Sequence, residues 1–261
     1  MTDVAERGEV QYHVHLRRGD VGRYVLLPGD PGRCESIAAL FDSAHHVADH
    51  REYNTFTGLV DGELVSVTST GIGGPSSAIA IEELSRVGAD TFIRVGTSGA
   101  MQDWIAPGDL GVINAAIRDE GTSRHYLPLE FPAVADAEVT SALLEGARRV
   151  GATVHLGVAH SKDSFFGQHE PERMPVGSYL KERWHAWMTG GAIASEMEAA
   201  TQFVVASCLR KRAGAILLIM GHPDQRPMTA EEDARCSLDL LLQATLEGVR
   251  VLIARDRAAQ G

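Results

Sequence analysis

The sequence predicts an α/β protein with one domain and a largely parallel sheet. Three observations carry that expectation. Short apolar runs alternate with segments of helical spacing along the chain. Three of these runs end in glycine-rich turns: Pro28–Pro31, Gly71–Ser76 and Gly96–Gly99. Hydrophobic residues make up 44% of the 261 residues, enough for a real core, and no linker, internal repeat or low-complexity stretch divides the chain.

The elements follow in order. Tyr24–Leu27 is an apolar strand stopped by Pro28-Gly29-Asp30-Pro31, and Cys34–Phe41 then reads as a helix. Leu64–Ser69 is a strand that runs into the Gly71–Ser76 turn. Ser77–Val87 places Ala78, Ile81, Leu84 and Val87 at helical spacing. Thr91–Val95 is a strand ending at Gly96–Gly99. Leu110–Ala115 and Thr153–Ala159 are further strands, and Glu138–Val150, Met197–Leu209 and Ala230–Ala254 are helices. Ala215–Met220 is an uninterrupted apolar run and the expected central strand. Arg118–Asp136 and Ser161–Pro175 are long loops, where function often resides. In such sheets ligands sit beyond the carboxyl ends of strands, and glycine-rich turns there bring backbone N–H groups close to an anion.

Composition excludes several classes. The formal net charge is −11, a poor match for nucleic acid or an anionic membrane surface. No apolar run is long enough to span a bilayer, and the N-terminus has no apolar signal region. Cys34, Cys208 and Cys236 are odd in number and far apart, so a reduced cytoplasmic setting is expected. GxSxG and HExxH motifs are absent, which disfavours a serine hydrolase or a zincin. His45, His46 and His50 look metal-like but bring no carboxylate or Cys set with them. The Gly71–Ser76 turn misses the dinucleotide fingerprint, because Ser76 stands at its third glycine position.

Individual residues allow two readings each. Arg94 lies inside an apolar strand, and a buried Arg is almost always paired. It serves either a structural carboxylate or a phosphate held bidentately. Arg33 follows the Pro28–Pro31 turn, whose Gly29 N–H suits an anion; it is otherwise an ordinary helix-start Arg. Glu196 and Glu198 precede an apolar helix. They are either an acidic helix start or, for one of them, a grip on the paired hydroxyls of a ribose.

The order of seven motifs is more specific. They are PGDPGR (Pro28–Arg33), HREYNTFTG (His50–Gly58), STGIGGPS (Ser69–Ser76), TFIRVGTSGA (Thr91–Ala100), PLEFPAVAD (Pro128–Asp136), KDSFFGQHEPERM (Lys162–Met174) and SEMEAAT (Ser195–Thr201). With them the chain resembles the uridine phosphorylase branch of the nucleoside phosphorylase family, from about Tyr12 to about Pro227. The resemblance implies a single-domain three-layer fold over residues 1–261, with a central mixed β-sheet flanked by helices. Residues 1–11 and 256–261 would be flexible tails. It implies reversible phosphorolysis of uridine, with deoxyuridine or thymidine as further substrates, to uracil and ribose 1-phosphate. No cofactor would be required, and inorganic phosphate would be the co-substrate.

By the same resemblance Gly29, Arg33, Arg94 and Thr97 would bind phosphate, joined by Arg51 reaching into a neighbouring subunit's site. Glu198 would hold the ribose hydroxyls, with Met197 on the sugar, Glu196 framing the segment and a neighbour's His13 over the 5′-hydroxyl. Phe165 would stack near the base, Gln168 would hydrogen-bond its edge, and Ser98, Gly99 and Met220 would line its pocket. Arg94, Gln168 and Glu198 would carry the catalysis. Shared sites imply a homo-oligomer, a dimer or a hexamer built as a trimer of dimers. A K+ ion between subunits would meet Glu52, Ile72 and Ser76.

Two departures concern the base. The Arg of the pyrimidine pattern, two residues after the loop Gln, is Glu170 here, so His169, Lys162 or Arg173 is expected to supply the missing donor. The Asp that a purine phosphorylase carries after its penultimate strand is absent from Met220-Gly221-His222-Pro223, which favours a pyrimidine. The same scaffold otherwise admits a purine nucleoside phosphorylase, a nucleosidase using water, or a non-catalytic nucleoside-binding protein. Three Arg around an anion site argue against the last two.

Overall fold

Alternate residues of each central strand serve two different cores, and this organises the molecule. In the strand Tyr24–Leu27 (β1), Val25 and Leu27 join one hydrophobic cluster while Tyr24 and Leu26 join another. Ala215, Leu217 and Ile219 of the strand Arg212–Ile219 (β10) face the first cluster, and Ile216 and Leu218 the second. Period-two alternation with both sets apolar is the mark of a sheet covered on both faces. The computed structural model describes residues 9–260.

The other strands are β2 (Asp42–His50), β3 (Tyr53–Val60), β4 (Glu63–Thr68), β5 (Thr91–Ala100), β6 (Leu110–Asp119), β7 (Ala133–Val134), β8 (Val154–Lys162) and β9 (Ala194–Glu196). Their order is β2-β3-β4-β1-β5-β9-β8-β6-β10, and β10 pairs again with β5, so β5, β9, β8, β6 and β10 form a closed circuit. β1 is parallel to β4 and β5, and β5 to β10, whereas β9 runs antiparallel to β5 and β10 antiparallel to β6. The sheet is therefore mixed, and β10 is central, between β5 and β6.

Helices α2 (Gly74–Val87) and α6 (Ala199–Cys208) cover the first cluster. Helices α1 (Arg33–Ala38), α3 (Ala137–Arg149) and α8 (Leu238–Gln260) cover the second. The Asp136 side chain caps α3 by accepting the Val139 N–H at 3.0 Å. No helix of the described residues is long and apolar enough to cross a membrane.

Several expectations change. The run Gly96–Gly99 is not a turn: β5 continues through it to Ala100, because its small residues pair with β10 and β9. The helix expected over Ala230–Ala254 is two helices. A capping box between Thr229 and Glu232 starts α7 (Ala230–Arg235), which stops at Cys236 before α8 begins. The loop Ser161–Pro175 contains the short helix α4 (Phe165–His169), started by Ser164, whose Oγ accepts the Gly167 N–H at 2.9 Å. A further helix, α5 (Gly177–Thr189), follows it. The tail expected from residue 256 is instead the end of α8, where Asp256 pairs with Arg212 at 2.6 Å and accepts the Tyr24 hydroxyl at 2.6 Å. Of the N-terminal tail, residues 1–8 lie outside the described residues, while Gln11 is buried.

Candidate active site

The carboxyl ends of β1, β5, β8 and β10 open on one cavity of about 940 Å³. Its lining includes Gly29, Arg33, Arg94, Thr97, Ser98 and Gly99. Lys162, Phe165, Gln168, His169, Glu196, Met197, Glu198 and Met220 also border it. Residues far apart in the chain and singled out in the sequence thus meet in one place.

At one end stand two guanidiniums. Arg33 is half-buried and only loosely paired, its Nε lying 3.9 Å from Asp30. Burial lowers its pKa, Asp30 opposes this, and the nearby charge of Arg94 lowers it further. Both guanidiniums line the cavity, and guanidinium N–H donors suit an anion. Arg94 is 4% exposed. Its Nε lies 2.7 Å from Glu196 and its terminal nitrogen 2.6 Å from Glu198. The guanidinium folds back over its own strand because position 96 is glycine: a Cβ there would come within 2.9 Å of the Arg94 Cζ.

The two glutamates differ in what they hold. Glu196 accepts the backbone N–H groups of Glu198 and Ala199, each at 2.8 Å, so it holds the chain entering α6, and its other oxygen takes the Ser161 hydroxyl. Both its oxygens are engaged by the protein, which makes it the anchor of Arg94 and of the helix start. Glu198 accepts the Gly73 N–H at 2.6 Å, a contact presented by a backbone at φ +95°, where glycine is favoured. Burial pushes the Glu198 carboxyl up, and the Arg94 charge opposes that shift. Its two oxygens are held by the Gly73 N–H and by Arg94, and the residue borders the cavity beside Met197.

The other end carries the base candidates. Phe165, Gln168 and His169 sit at i, i+3 and i+4 of α4 and so share a face. The Phe165 and His169 rings lie 4.2 Å apart. Gln168 Oε1 accepts the Ser195 hydroxyl at 2.7 Å. Lys162, at the end of β8, is 6% exposed and donates to Ser195 Oγ at 3.0 Å. Burial pulls its ammonium down to about 8, although Glu196 and Glu198 pull it up.

Other expected residues lie elsewhere. Arg173 is exposed, pairs with Glu170, and does not line the cavity. His13 and Arg51 do not line the cavity of their own chain. His13 pairs with Glu83 at 2.6 Å, and the Arg51 guanidinium sits 5.6 Å from the Tyr12 ring. Ile72 is 77% exposed and does border the cavity; its carbonyl and Ser76 Oγ are 3.5 Å apart, and the Glu52 stem lies beside Gly71. His50 bonds to the His13 carbonyl and stacks on His15, and no metal-binding group of His, Cys, Asp and Glu exists among the described residues.

Sequence reading missed several neighbours of the site. Gln225 donates to the Gln168 carbonyl at 3.2 Å and lies 3.3 Å from His169 Nδ1, so it braces α4. Arg226 and His222 line the cavity and share Glu232. Their segment is polar and irregular, with no period to mark it. Ser195 was readable as a motif member but carried no role on its own.

The chain is similar to known proteins over most of its length. The family model described as "Phosphorylase superfamily" matches residues 23–246. A protein of Treponema pallidum named uridine phosphorylase is 48% identical over 248 residues, covering 95% of this chain and 96% of its own length. One of Thermococcus kodakarensis with the same name is 49% identical over 215 residues, 82% of this chain and 78% of its own. A protein of Halorubrum lacusprofundi named guanosine phosphorylase is 37% identical over 245 residues, 90% of this chain and 97% of its own.

Proposed function

We propose that this chain, which belongs to the phosphorylase superfamily, catalyses the reversible phosphorolysis of uridine to uracil and ribose 1-phosphate. The observation that carries this reading is the convergence of Arg33 and Arg94 on one end of a cavity whose middle presents Glu198, in a chain of net charge −11. Phosphate lies between the guanidiniums, Gly29 and Thr97. Glu198 grips the ribose hydroxyls, with Met197 under the sugar. Phosphate attacks C1′ from one face while the base leaves from the other, through an oxocarbenium-like transition state. No covalent nucleophile is needed, so positioning and electrostatics supply the rate.

The base is a pyrimidine. Gln168 and Lys162 bring N–H groups toward its carbonyl oxygens, where charge develops as it leaves, and Phe165 stacks on it. His169 closes the same side. The turn after β10 offers Met220 and His222 where a purine would need a carboxylic acid. A substrate panel with phosphate tests this. Uridine is cleaved with the highest kcat/KM, deoxyuridine and thymidine follow, and inosine or guanosine cleaved faster than uridine refutes the pyrimidine assignment.

The site is completed by a second copy of the chain. His13 and Arg51 do not line their own cavity and lie against the exposed Tyr12. In a dimer, or a hexamer built from dimers, they reach the partner's ribose and phosphate. The oxygens of Ile72 and Ser76, with the Glu52 carboxylate, suit a monovalent cation such as K+ at that interface; one chain supplies only part of its shell. The free cysteines suit the reducing cytoplasm.

A further inference from the structure

A buried chain of hydrogen bonds runs from the base end of the cavity to a second cavity of about 380 Å³, which is lined by Asp119, His160, Trp184 and Trp187. Its node is Ser195. The Ser195 Oγ lies 3.0 Å from Lys162 Nζ, 2.7 Å from Gln168 Oε1 and 3.2 Å from His160 Nδ1. His160 Nε2 lies 3.0 Å from Asp119, and Asp119 pairs in turn with Arg183. The His160 ring packs 4.1 Å from the Trp187 ring and is 3% exposed. The Ser195 backbone is pinned as well: its N–H donates to Ser98 Oγ at 3.0 Å, and its carbonyl accepts that hydroxyl at 3.2 Å.

Counting hydrogens assigns the roles. An ammonium only donates, so Ser195 accepts from Lys162. A carboxylate only accepts, so His160 carries its hydrogen on Nε2 toward Asp119. Ser195 then has one hydrogen and two acceptors, and the 2.7 Å contact gives it to Gln168 Oε1 rather than to His160 Nδ1 at 3.2 Å. With its oxygen held by Ser195, Gln168, which lines the base end, has its amide N–H groups left to donate. Lys162 also donates to the Glu196 carbonyl at 3.4 Å, which leaves its third N–H for the cavity it lines. A hydroxyl that already accepts from Lys162 and donates to Gln168 is not set up as a nucleophile, despite the Ser–His–Asp order.

We propose that Ser195, backed by His160 and Asp119, is the positioning residue of the base end. It orients Gln168 and Lys162 together so that both donate to the carbonyl oxygens of the departing base. This rests on the phosphorolysis reading above. It predicts a defect that depends on how much charge the leaving base must shed.

The experiment compares the parent with Ser195→Ala, Ser195→Thr and Asp119→Asn on uridine and on 5-fluorouridine, whose base leaves as a more stable anion. Ser195→Ala lowers kcat for uridine roughly 10- to 100-fold, the scale of a misplaced reacting group. Its defect on 5-fluorouridine is several times smaller, and KM for phosphate stays within about twofold, since the phosphate end is separate. Ser195→Thr restores most of kcat, and Asp119→Asn, at the more exposed end of the chain, repeats the pattern at smaller amplitude. Equal defects on the two substrates, or a phosphate KM that rises in parallel, mean general disorder of the site and overturn the proposal. Parent-like kinetics in Ser195→Ala and Asp119→Asn overturn it too, and leave phosphorolysis standing. A parent that does not cleave uridine with phosphate overturns both.

Discussion

Replacing Lys162 by Met is expected to stabilise the protein while damaging its chemistry. The ammonium is 6% exposed, so solvent does not screen it appreciably. Burial lowers it from 10.5 to about 8. At about 1.4 kcal/mol per unit, keeping it charged at neutral pH costs the folded state about 3 kcal/mol. The attraction of Glu196 and Glu198 is already contained in that shift. Met keeps the apolar stem and removes the charge. Losing the bond to Ser195 and the longer one to the Glu196 carbonyl gives back about 1 kcal/mol, so the net gain is about 2 kcal/mol at pH 7. The sign with pH follows from proton counting. Between about 8 and 10.5 the unfolded chain holds more protons than the folded one, so the parent gains stability as pH rises through that window. The advantage of Lys162→Met is therefore full below pH 8 and gone above 10.5. Thermal unfolding at pH 7 and pH 10 reads it, and uridine turnover, expected to fall about 100-fold, is measured beside it. A variant less stable than the parent at pH 7, or one whose advantage grows with pH, refutes the reasoning. Unchanged turnover removes Lys162 from the base end.

Other outcomes follow from the same geometry. Arg94→Met strips two buried carboxylates of their cation; it should abolish phosphorolysis and cost about 3–5 kcal/mol of stability, and a melting curve like the parent's would contradict the ion-pair account. In the parent, kcat/KM for uridine should fall as pH climbs through about 8, where Lys162 loses its proton, and Lys162→Met should lack that falling limb. His169→Ala should raise KM or lower turnover for uridine, whereas Arg173→Ala should leave steady-state kinetics unchanged; the reverse pattern would place the exposed Arg in the site.

The parts of the fold that were legible in the sequence were those with a clear period. The apolar runs of β1, β4 and β10 and the helical stripe of α2 each bury on a covered face, so hydrophobicity marks them. β2 was illegible for the opposite reason: it is a largely exposed strand, rich in His and Asp, with a broken register. The end of β5 was hidden because Gly96, Thr97 and Gly99 read as a turn, while the room left at Gly96 is what lets Arg94 lie across the strand. α4 was hidden by its length and its central Gly167, although Ser164 was a readable cap. At the site, Arg94 kept two readings in sequence, a structural ion pair or a phosphate ligand. The structure pairs it with Glu196 and Glu198 and also sets it on the cavity wall. The Ser195–His160–Asp119 chain joins residues from β9, β8 and β6, strands whose neighbourhood no local pattern reveals.

Phosphate, not water, should cleave the glycosidic bond of a pyrimidine nucleoside. Uridine incubated with the purified full chain, with and without inorganic phosphate, and followed by chromatography of the base and phosphorus NMR of the sugar, tests it most directly. Uracil should form in step with ribose 1-phosphate and only when phosphate is present. Uracil released at the same rate without phosphate, with free ribose as the other product, would contradict it.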